Sequence, residues 1–191
     1  MIEELEKKLL LTKEEYHFLM EKYGKNKAIN MQINFYFDTD DLSMNSKGIT
    51  CRIRLKDGVY KGTMKSHLPD ADKSIEASIE VRKGIFDNGF VDMHLKYQGQ
   101  LFTERCEIYK DSFCDIVLDK NHFLEGTDYE LEIEYSSEHE KNAEYIFDGI
   151  INLLQQNVPQ SSANSIDERR RKTASKSTRF FERRRNYDLD S

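Results

Sequence analysis

Alternation between apolar and polar residues recurs along most of the chain and is typical of β-strands with one buried face. Eight stretches show it, and strands are predicted over residues 2–10, 29–38, 48–56, 59–65, 75–81, 101–109, 112–120 and 129–135. Asp57-Gly58 separates two of them, and this dipeptide is the turn that a two-residue β-hairpin favours. The pattern therefore predicts an antiparallel sheet.

Apolar residues at helical spacing predict three helices, over residues 12–23, 83–97 and 138–156. Thr12 and Glu15 form a capping box at the start of the first helix, and Gly24 is expected to end it in a left-handed conformation. Ser137 and Glu140 are interpreted as a second capping box, before the third helix. Together the elements predict an α+β fold.

No linker rich in proline or glycine divides the 191 residues, so one domain over residues 1–191 is predicted. We find neither a hydrophobic leader nor an apolar run long enough to span a bilayer. The three cysteines lack a metal-binding spacing and are interpreted as free thiols of a reducing compartment. We expect a cytoplasmic protein without a membrane partner, and a homodimer stays open.

The net charge of −6 argues against a general nucleic-acid binder. The charge is uneven, however, because residues 166–185 carry nine Lys or Arg and three Asp or Glu. A basic run of this kind is typical of a solvated helix face. Nucleic-acid binding through this segment is therefore kept only as a less favoured alternative.

The polar faces of the predicted strands carry charged residues at spacing two, sorted by sign. The groups are Glu4 and Glu6; Arg52, Arg54 and Lys56; Lys61 and Lys65; Glu76 and Glu80; Arg105; and Glu130, Glu132 and Glu134. Charged side chains are middling or poor strand formers, so stability alone does not favour them. Two interpretations remain: the solvated face of an antiparallel sheet, or a functional face.

A functional face of this kind fits an antiparallel barrel whose polar side points inward and whose apolar side packs under the helices. An interior lined by Arg and Lys beside carboxylates suits a polyphosphate bridged to the carboxylates by Mg²⁺ or Mn²⁺. The phosphate-binding loop GxxxxGK[ST], the dinucleotide motif GxGxxG and the nucleophile motif GxSxG do not occur in the sequence. The charged strands thus predict a metal-assisted polyphosphate site.

These groups resemble, in order, the motifs of the CYTH family, the triphosphate tunnel metalloenzymes. Glu4-Leu5-Glu6-Lys7-Lys8 resembles the family's ExExK strand. The later matches are Arg52-Ile53-Arg54 to RxR, Thr63-Met64-Lys65 to TxK, Thr103-Glu104-Arg105 to a basic strand, Asp119 to an acidic position, residues 130–134 to ExExE, and residues 175–179 to a basic stretch containing Ser-Lys. The resemblance spans residues 1–181.

The resemblance implies an eight-stranded antiparallel tunnel that cleaves the terminal phosphoanhydride of inorganic triphosphate or a small organic triphosphate. It implies that phosphate binding and catalysis use Lys8, Arg52, Arg54, Lys65 and Arg105, with Lys176 and Arg179 at one mouth. It further implies that one or two Mg²⁺ or Mn²⁺ ions bind to Glu4, Glu6, Asp119, Glu130 and Glu132. Glu76, Glu80 and Glu134 either orient basic residues or contact metal.

Two alternatives from other classes remain open. One is an adenylyl cyclase of the class IV type, although the His-Phe pair that precedes ExExK in that branch is missing here. The other is a module that binds a polyphosphate or nucleotide without turnover. The strand pattern itself gives one further expectation: Lys7 lies on the opposite face from Lys8 and is dispensable for the site.

Overall fold

Eight β-strands form the body of the molecule. The computed structural model describes residues 2–67, 73–123, 126–159 and 165–190, without the side chains of residues 2–4, 67, 73, 171–172 and 187–190. The strands are β1 (Ile2–Leu11), β2 (Ile29–Asp38), β3 (Ile49–Lys56), β4 (Val59–His67), β5 (Lys73–Ile79), β6 (Lys96–Lys110), β7 (Cys114–Phe123) and β8 (Gly126–Tyr135). They are antiparallel and close into a barrel in the order β1-β5-β4-β3-β2-β6-β7-β8. The predicted eight-stranded antiparallel barrel is confirmed.

The barrel closes through β1. Residues 5–11 of this strand pair with β8, and residues 2–5 pair with β5 on its other edge. Among the described residues, each strand therefore has a neighbour on both sides over at least part of its length, which leaves little edge for pairing with another chain. The pairing also fixes the register, and with it the side chains that face the interior.

The outer face of the sheet carries the main hydrophobic core. The helices are α1 (Lys13–Leu19), α2 (Ser43–Ser46), α3 (Gly89–Asp92), α4 (Glu140–Asn157), α5 (Ile166–Lys172) and α6 (Lys176–Asp190). Leu5 and Leu9 of β1 pack in one buried cluster with Phe147 and Leu154 of α4. The apolar side chains at alternate positions of each strand therefore point outward, under the helices. The charged side chains between them point inward, as the sequence predicted.

The helix after β1 begins as predicted and ends differently. Thr12 and Glu15 form the capping box at the start of α1. The helix continues as a π-helical turn over Met20–Gly24. The chain then turns at Asn26, where φ is +69°, so the expected left-handed end at Gly24 is wrong. Gly24 serves close packing instead, because a Cβ there would lie 2.8 Å from the sulfur of Met20.

The predicted helix over residues 83–97 is wrong. Only Gly89–Asp92 is helical, with the side chain of Asn88 accepting hydrogen bonds from the first turn. The backbone has positive φ at Gly84 and His94, which breaks a continuous helix on both sides. Strand β6 then starts at Lys96, five residues before the predicted start. Local apolar spacing suggested a helix here, but these residues form a compact loop over β2 and β3.

The predicted helix over residues 138–156 is confirmed as α4, although its start differs. A 3₁₀ turn covers Ser137–His139, and no side chain caps the helix, so the second capping box is wrong. The backbone N–H of His139 donates to the carbonyl of Ser136 instead. In the described part of the chain, no helix is long and apolar enough to cross a membrane.

The basic C-terminal run forms α5 and α6, and α6 closes one end of the barrel. Phe180 and Phe181 pack against Tyr36 inside the barrel and against Leu101 and Phe123 at its rim. Gly99 permits this contact, because a Cβ at position 99 would lie 2.8 Å from the ring of Phe180. The C-terminal segment is therefore part of the barrel interior rather than a solvated tail.

Helix α5 is held to the start of the molecule by a buried ion pair. The guanidinium of Arg169 donates to both carboxylate oxygens of Glu15, at 2.7 and 2.8 Å, and also to the carbonyl of Leu10. Glu15 is 1% exposed and Arg169 is 8% exposed. Removing one partner from such a pair leaves a buried charge that is no longer neutralised.

We therefore expect Arg169→Met to lower the free energy of unfolding by about 3 kcal/mol or more. Arg170→Met is the matched control, because Arg170 pairs with Glu144 and Asp148 at the partly exposed surface. Its expected loss is below about 1 kcal/mol. Urea unfolding followed by circular dichroism measures both values. Equal losses in the two variants would contradict the anchoring role of Arg169.

Candidate active site

The barrel encloses a cavity of about 190 Å³ lined almost entirely by polar side chains. Its basic lining residues are Lys8, Arg52, Arg54, Lys61, Lys65, Arg105 and Lys176. Its acidic lining residues are Glu6, Glu76, Glu132 and Glu134. The side chains of Lys61 and Glu134 are 64% and 51% exposed, so they mark the end that faces solvent. The opposite end is the one that α6 closes.

Strand register places opposite charges side by side across the cavity wall. Lys8 lies opposite Glu132, Lys65 opposite Glu76, and Arg105 opposite Asp119. Cross-strand pairs of opposite charge are mutually stabilising. Other cross-strand neighbours carry like charges, namely Glu6 opposite Glu134, Arg54 opposite Lys61 and Asp119 opposite Glu130, so neutralisation also depends on contacts beyond the direct partner.

Glu6 joins two basic residues from different strands. Its carboxylate lies 3.0 Å from Lys8 and 3.2 Å from Lys65. Burial disfavours its charge, yet Lys8 and Lys65 hold the pKa of Glu6 below its usual value. Burial likewise opposes the charge of Lys8, but Glu6 and Glu132 raise its pKa above the usual value. Both groups are therefore ionised at neutral pH.

Glu76 holds a second pair of basic groups nearer the open end. Its carboxylate lies 3.5 Å from Arg52 and 3.4 Å from Lys61. The Nε of Arg52 also donates to the hydroxyl of Thr63 at 3.2 Å. Glu76 thus orients two cationic side chains towards the cavity.

Arg54 differs from the other basic residues of the cavity. Its Nε donates to the side-chain oxygen of Asn34 at 2.9 Å, and among the described residues it forms no ion pair with a carboxylate. Burial and the nearby guanidinium groups of Arg52 and Arg105 lower the pKa of Arg54 to about 10. At neutral pH it is still charged. A partly buried guanidinium paired only with a neutral amide is well suited to bind an anion.

Three carboxylates converge beside the closed end of the cavity: Asp119, Glu130 and Glu132. One oxygen from each lies within 4.8 Å of the others, and all three residues are buried. We call this set the acidic cluster. Oxygen donors at this spacing fit Mg²⁺ or Mn²⁺, which prefer carboxylate ligands.

The acidic cluster is neutralised by basic side chains on two sides. Arg105 donates to both oxygens of Asp119, at 2.8 and 2.6 Å, and also contacts Glu132. The ammonium of Lys176 lies 2.7 Å from Asp119, 2.7 Å from Glu130 and 2.5 Å from Glu132. Burial opposes the charge of Glu132, but Lys176, Arg105 and Lys8 hold its pKa well below the usual value.

Most of the predicted site residues meet in this one region. Lys8, Arg52, Arg54, Lys65, Arg105, Lys176, Glu6 and Glu132 line the cavity, and Asp119 and Glu130 lie next to it. Arg179 lies behind the cluster, where it pairs with Asp128 at 3.0 Å and with Glu130 at 2.9 Å. Glu4 lies in β1 opposite Ser74, but its side chain is outside the described part, so its metal role stays a prediction.

Two other charged positions lie outside the cavity. Lys7 pairs with Glu144 of α4 at 2.5 Å, on the outer face of the barrel. Glu80 lies beyond the end of β5 and contacts Arg82 at the exposed surface. The placement of Lys7 agrees with the alternation of β1 and leaves its dispensability to be tested.

Five hydroxyl-bearing residues of the lining were not assigned a site role from the sequence, although Thr63, Ser175 and Ser177 lie in the matched motifs: Tyr36, Thr50, Thr63, Ser175 and Ser177. Strand parity was a usable signal for two of them, because Thr50 precedes Arg52 by two residues and Thr63 precedes Lys65 by two. Ser177 donates to or accepts from Thr50 at 2.7 Å, a contact that joins α6 to β3 and that local spacing does not reveal.

This chain has the features of a tunnel protein: a closed barrel, a charged interior and a cluster of carboxylates. Such an interior could hold a polyanion together with a cation. The family model of the CYTH domain matches residues 3–157, and the chain belongs to that family. This family is the one that the sequence motifs resemble.

The alignments with known relatives cover most of this chain. "Putative triphosphatase YjbK" of Bacillus subtilis (strain 168) is 30% identical over 198 residues, which cover 95% of this chain and 96% of the relative. The crystal structure of a "putative adenylate cyclase" (bh2851) from Bacillus halodurans is 26% identical, with a TM-score of 0.64, and covers 85% of this chain and 96% of that one. The structure of HpAC1 from Hippeastrum has a TM-score of 0.65 at 17% identity, covers 95% and 96% of the two chains, and supports the fold alone.

The buried carboxylates predict how stability depends on pH. Glu6, Glu130 and Glu132 have pKa values below the usual 4.5. Their ion pairs therefore contribute fully above about pH 4.5, and the contribution is lost as the pH falls through the lowered folded values. We expect the free energy of unfolding to fall on acidification below about pH 4.5.

Urea unfolding between neutral and acidic pH measures this dependence. Glu132→Gln is expected to flatten it, because one of the three lowered carboxylates is removed. Glu80→Gln is the control and should keep the wild-type slope, since that side chain is 68% exposed. Identical slopes in all three proteins would contradict the assignment of the pH dependence to the interior.

Proposed function

We propose that this chain is a Mg²⁺- or Mn²⁺-dependent triphosphatase that hydrolyses the terminal phosphoanhydride of inorganic triphosphate or a small organic triphosphate. The observation that carries the proposal is Arg54, a partly buried guanidinium that faces the cavity and is paired with an amide rather than a carboxylate. A second part of the proposal is that one CYTH domain over residues 1–191 acts in the cytoplasm, where the buried Cys51, Cys106 and Cys114 stay reduced.

The phosphate chain binds along the basic wall. Arg52, Arg54 and Arg105 offer forked donors that match phosphate oxygens, and Lys8 and Lys65 supply compact positive charges. Several of these groups already hold carboxylates, so their positions are fixed before the substrate arrives. Fixed donors lose little reorganisation energy when charge develops in the transition state.

The acidic cluster and Glu6 would supply oxygen ligands for Mg²⁺ or Mn²⁺, and Glu4 would complete the ligand set. When bound there, Mg²⁺ or Mn²⁺ supplies positive charge against the phosphate oxygens and lowers the pKa of the attacking water.

The reaction uses water as the nucleophile and needs no covalent intermediate with the chain. Water adds to the terminal phosphorus, the bond from that phosphorus to the bridging oxygen breaks, and the shortened phosphate chain leaves with the bridging oxygen. The proton lost by the water passes to a product phosphate oxygen or to solvent. Lys8, Arg54 and Arg105 stabilise the negative charge that spreads over the oxygens in the transition state. Catalysis of this type depends on positioning and electrostatics.

The relatives support the proposal at the level of substrate class. The name of the Bacillus subtilis relative denotes a triphosphatase, and it matches nearly the full chain. The name of the Bacillus halodurans protein denotes an adenylate cyclase, and its 26% identity keeps cyclisation of ATP as the second candidate. Both reactions begin with a triphosphate bound in the tunnel and differ in the nucleophile that attacks it.

A substrate panel separates these functions. We expect phosphate release from tripolyphosphate in the presence of Mg²⁺ or Mn²⁺ and its loss when EDTA is added. Thiamine triphosphate and ATP are assayed in parallel for phosphate, pyrophosphate and cyclic AMP. Cyclic AMP as the main product would replace the proposal by the cyclase. Thermal stabilisation by tripolyphosphate without turnover would indicate a binding module.

Neighbouring lysines test which strand face holds the substrate. We expect Lys8→Ala to lower kcat/KM for tripolyphosphate by about 100-fold or more, since it removes a positive charge that stabilises the phosphate oxygens of the substrate. Lys7→Ala removes the same charge one residue away, outside the barrel, and should keep near wild-type activity. Equal losses in the two variants would show that substrate binds elsewhere.

Arg54→Ala is the direct test of the anion site. We expect a loss of about 100-fold or more in kcat/KM, whereas Arg82→Ala, which removes an exposed guanidinium, should change little. Isothermal titration calorimetry with tripolyphosphate and no added metal reports binding separately from turnover. Unchanged affinity in Arg54→Ala would remove the main support for the proposal.

A further inference from the structure

The acidic cluster already holds a cation that belongs to the chain. The ammonium of Lys176 lies within 2.7 Å of a carboxylate oxygen of Asp119, Glu130 and Glu132, the three residues whose oxygens converge at metal-binding distance. It contacts all three carboxylates at once, as a coordinated cation would. Lys176 is therefore the counter-ion of the cluster in this conformation.

The main chain of Lys176 is firmly placed, and its buried side chain lies between the acidic cluster and the main cavity. Lys176 is the first residue of α6, and the helix is held by Phe180, Phe181 and Arg179. The ammonium is carried on a flexible stem of four carbons. The same side chain also lines the main cavity, so a rotamer change is enough to turn it from the cluster towards the cavity.

An ammonium and a divalent cation exclude each other at these three oxygens. A divalent ion that contacts the same carboxylates would lie within a few ångströms of the ammonium. Like charges repel strongly at such a distance in a buried site. The carboxylate oxygens that accept hydrogen bonds from Lys176 would also be needed as metal ligands.

We propose that Lys176 and a divalent metal ion bind the acidic cluster alternately, and that the metal moves the Lys176 ammonium into the phosphate-binding cavity. The inference rests on the proposed metal site. Metal binding then adds positive charge at two places, in the cluster and beside Arg54. Because binding free energies are coupled reciprocally, a bound phosphate chain that attracts Lys176 also strengthens metal binding.

Metal affinity measured without any phosphate tests this exchange. Mn²⁺ binding to the full chain is followed by equilibrium dialysis or by the electron paramagnetic resonance of free Mn²⁺. Lys176→Met removes the competing charge at nearly constant length, and we expect Mn²⁺ to bind roughly tenfold tighter than to the wild type. Lys61→Met is the matched control: it also removes one positive charge from the cavity, but its partner is Glu76, and Mn²⁺ affinity should be unchanged.

A second measurement uses the wild-type protein and does not depend on the folding of a variant. Lysine side chains are labelled by reductive methylation with and without Mn²⁺, and each lysine is read out by peptide mass spectrometry. We expect Mn²⁺ to increase the labelling of Lys176 several-fold and to leave Lys61 unchanged. Mn²⁺ binding with no change at Lys176 would overturn the exchange.

The outcomes separate this inference from the proposed function. Equal or weaker Mn²⁺ binding by Lys176→Met, in a wild-type protein that hydrolyses tripolyphosphate, overturns the exchange and leaves the function intact. Tighter Mn²⁺ binding by the variant, in a wild-type protein that releases no phosphate, supports the exchange and rejects the function. A wild type and a Lys176→Met variant that both fail to bind Mn²⁺ would overturn the exchange.

Discussion

Charge neutrality inside the barrel is the constraint on which the rest of this structure depends. A buried ionised side chain is costly unless an opposite charge and hydrogen bonds offset its lost hydration. This barrel meets the requirement with ion pairs: Glu6 with Lys8 and Lys65, Glu76 with Arg52, and Asp119 with Arg105. All of these pairs except Glu6–Lys8, which lies within β1, join different strands, so the barrel and its charged interior stabilise each other. A change in one charge therefore affects several strands.

The C-terminal segment completes both the packing and the charge balance. Phe180 and Phe181 fill one end of the barrel with apolar side chains, while Lys176 and Arg179 on the same helix neutralise carboxylates of β8. Helix α5 adds the buried ion pair between Arg169 and Glu15, which fixes α5 to α1 just before the chain enters α6. Closure of one end leaves the cavity accessible from the side of Lys61 and Glu134. The geometry of α6 thus decides from which end a ligand reaches the site.

Two departures from pairwise neutrality give the interior its chemistry. Arg54 is partly buried and has an amide as its partner, so the cavity retains a positive charge available to an anion. The acidic cluster has a different character, because its three carboxylates converge on the ammonium of Lys176, while Arg105 and Arg179 pair with them from the sides. One position favours a phosphate and the other favours a cation. Their proximity within one enclosed volume is what makes phosphoanhydride cleavage the best-supported activity, and it also links metal binding to the position of Lys176.

Residue alternation by itself predicted eight strands and which side chains share a face, because neighbouring side chains of a strand point to opposite sides. It left open whether the charged face was solvated or lined a site. It separated Lys7 from Lys8 and placed Arg52 with Arg54 before any contact was known. Local signals failed where backbone conformation depended on packing: the loop around Gly84, the end of the helix at Asn26 and the start of α4. Only the tertiary structure decided that Lys176 neutralises Asp119, Glu130 and Glu132, that Arg54 has an amide for its partner, and that α6 closes the barrel. These features depend on strand closure and on contacts between residues far apart in the chain, and the spacing of neighbouring residues carries no information about them.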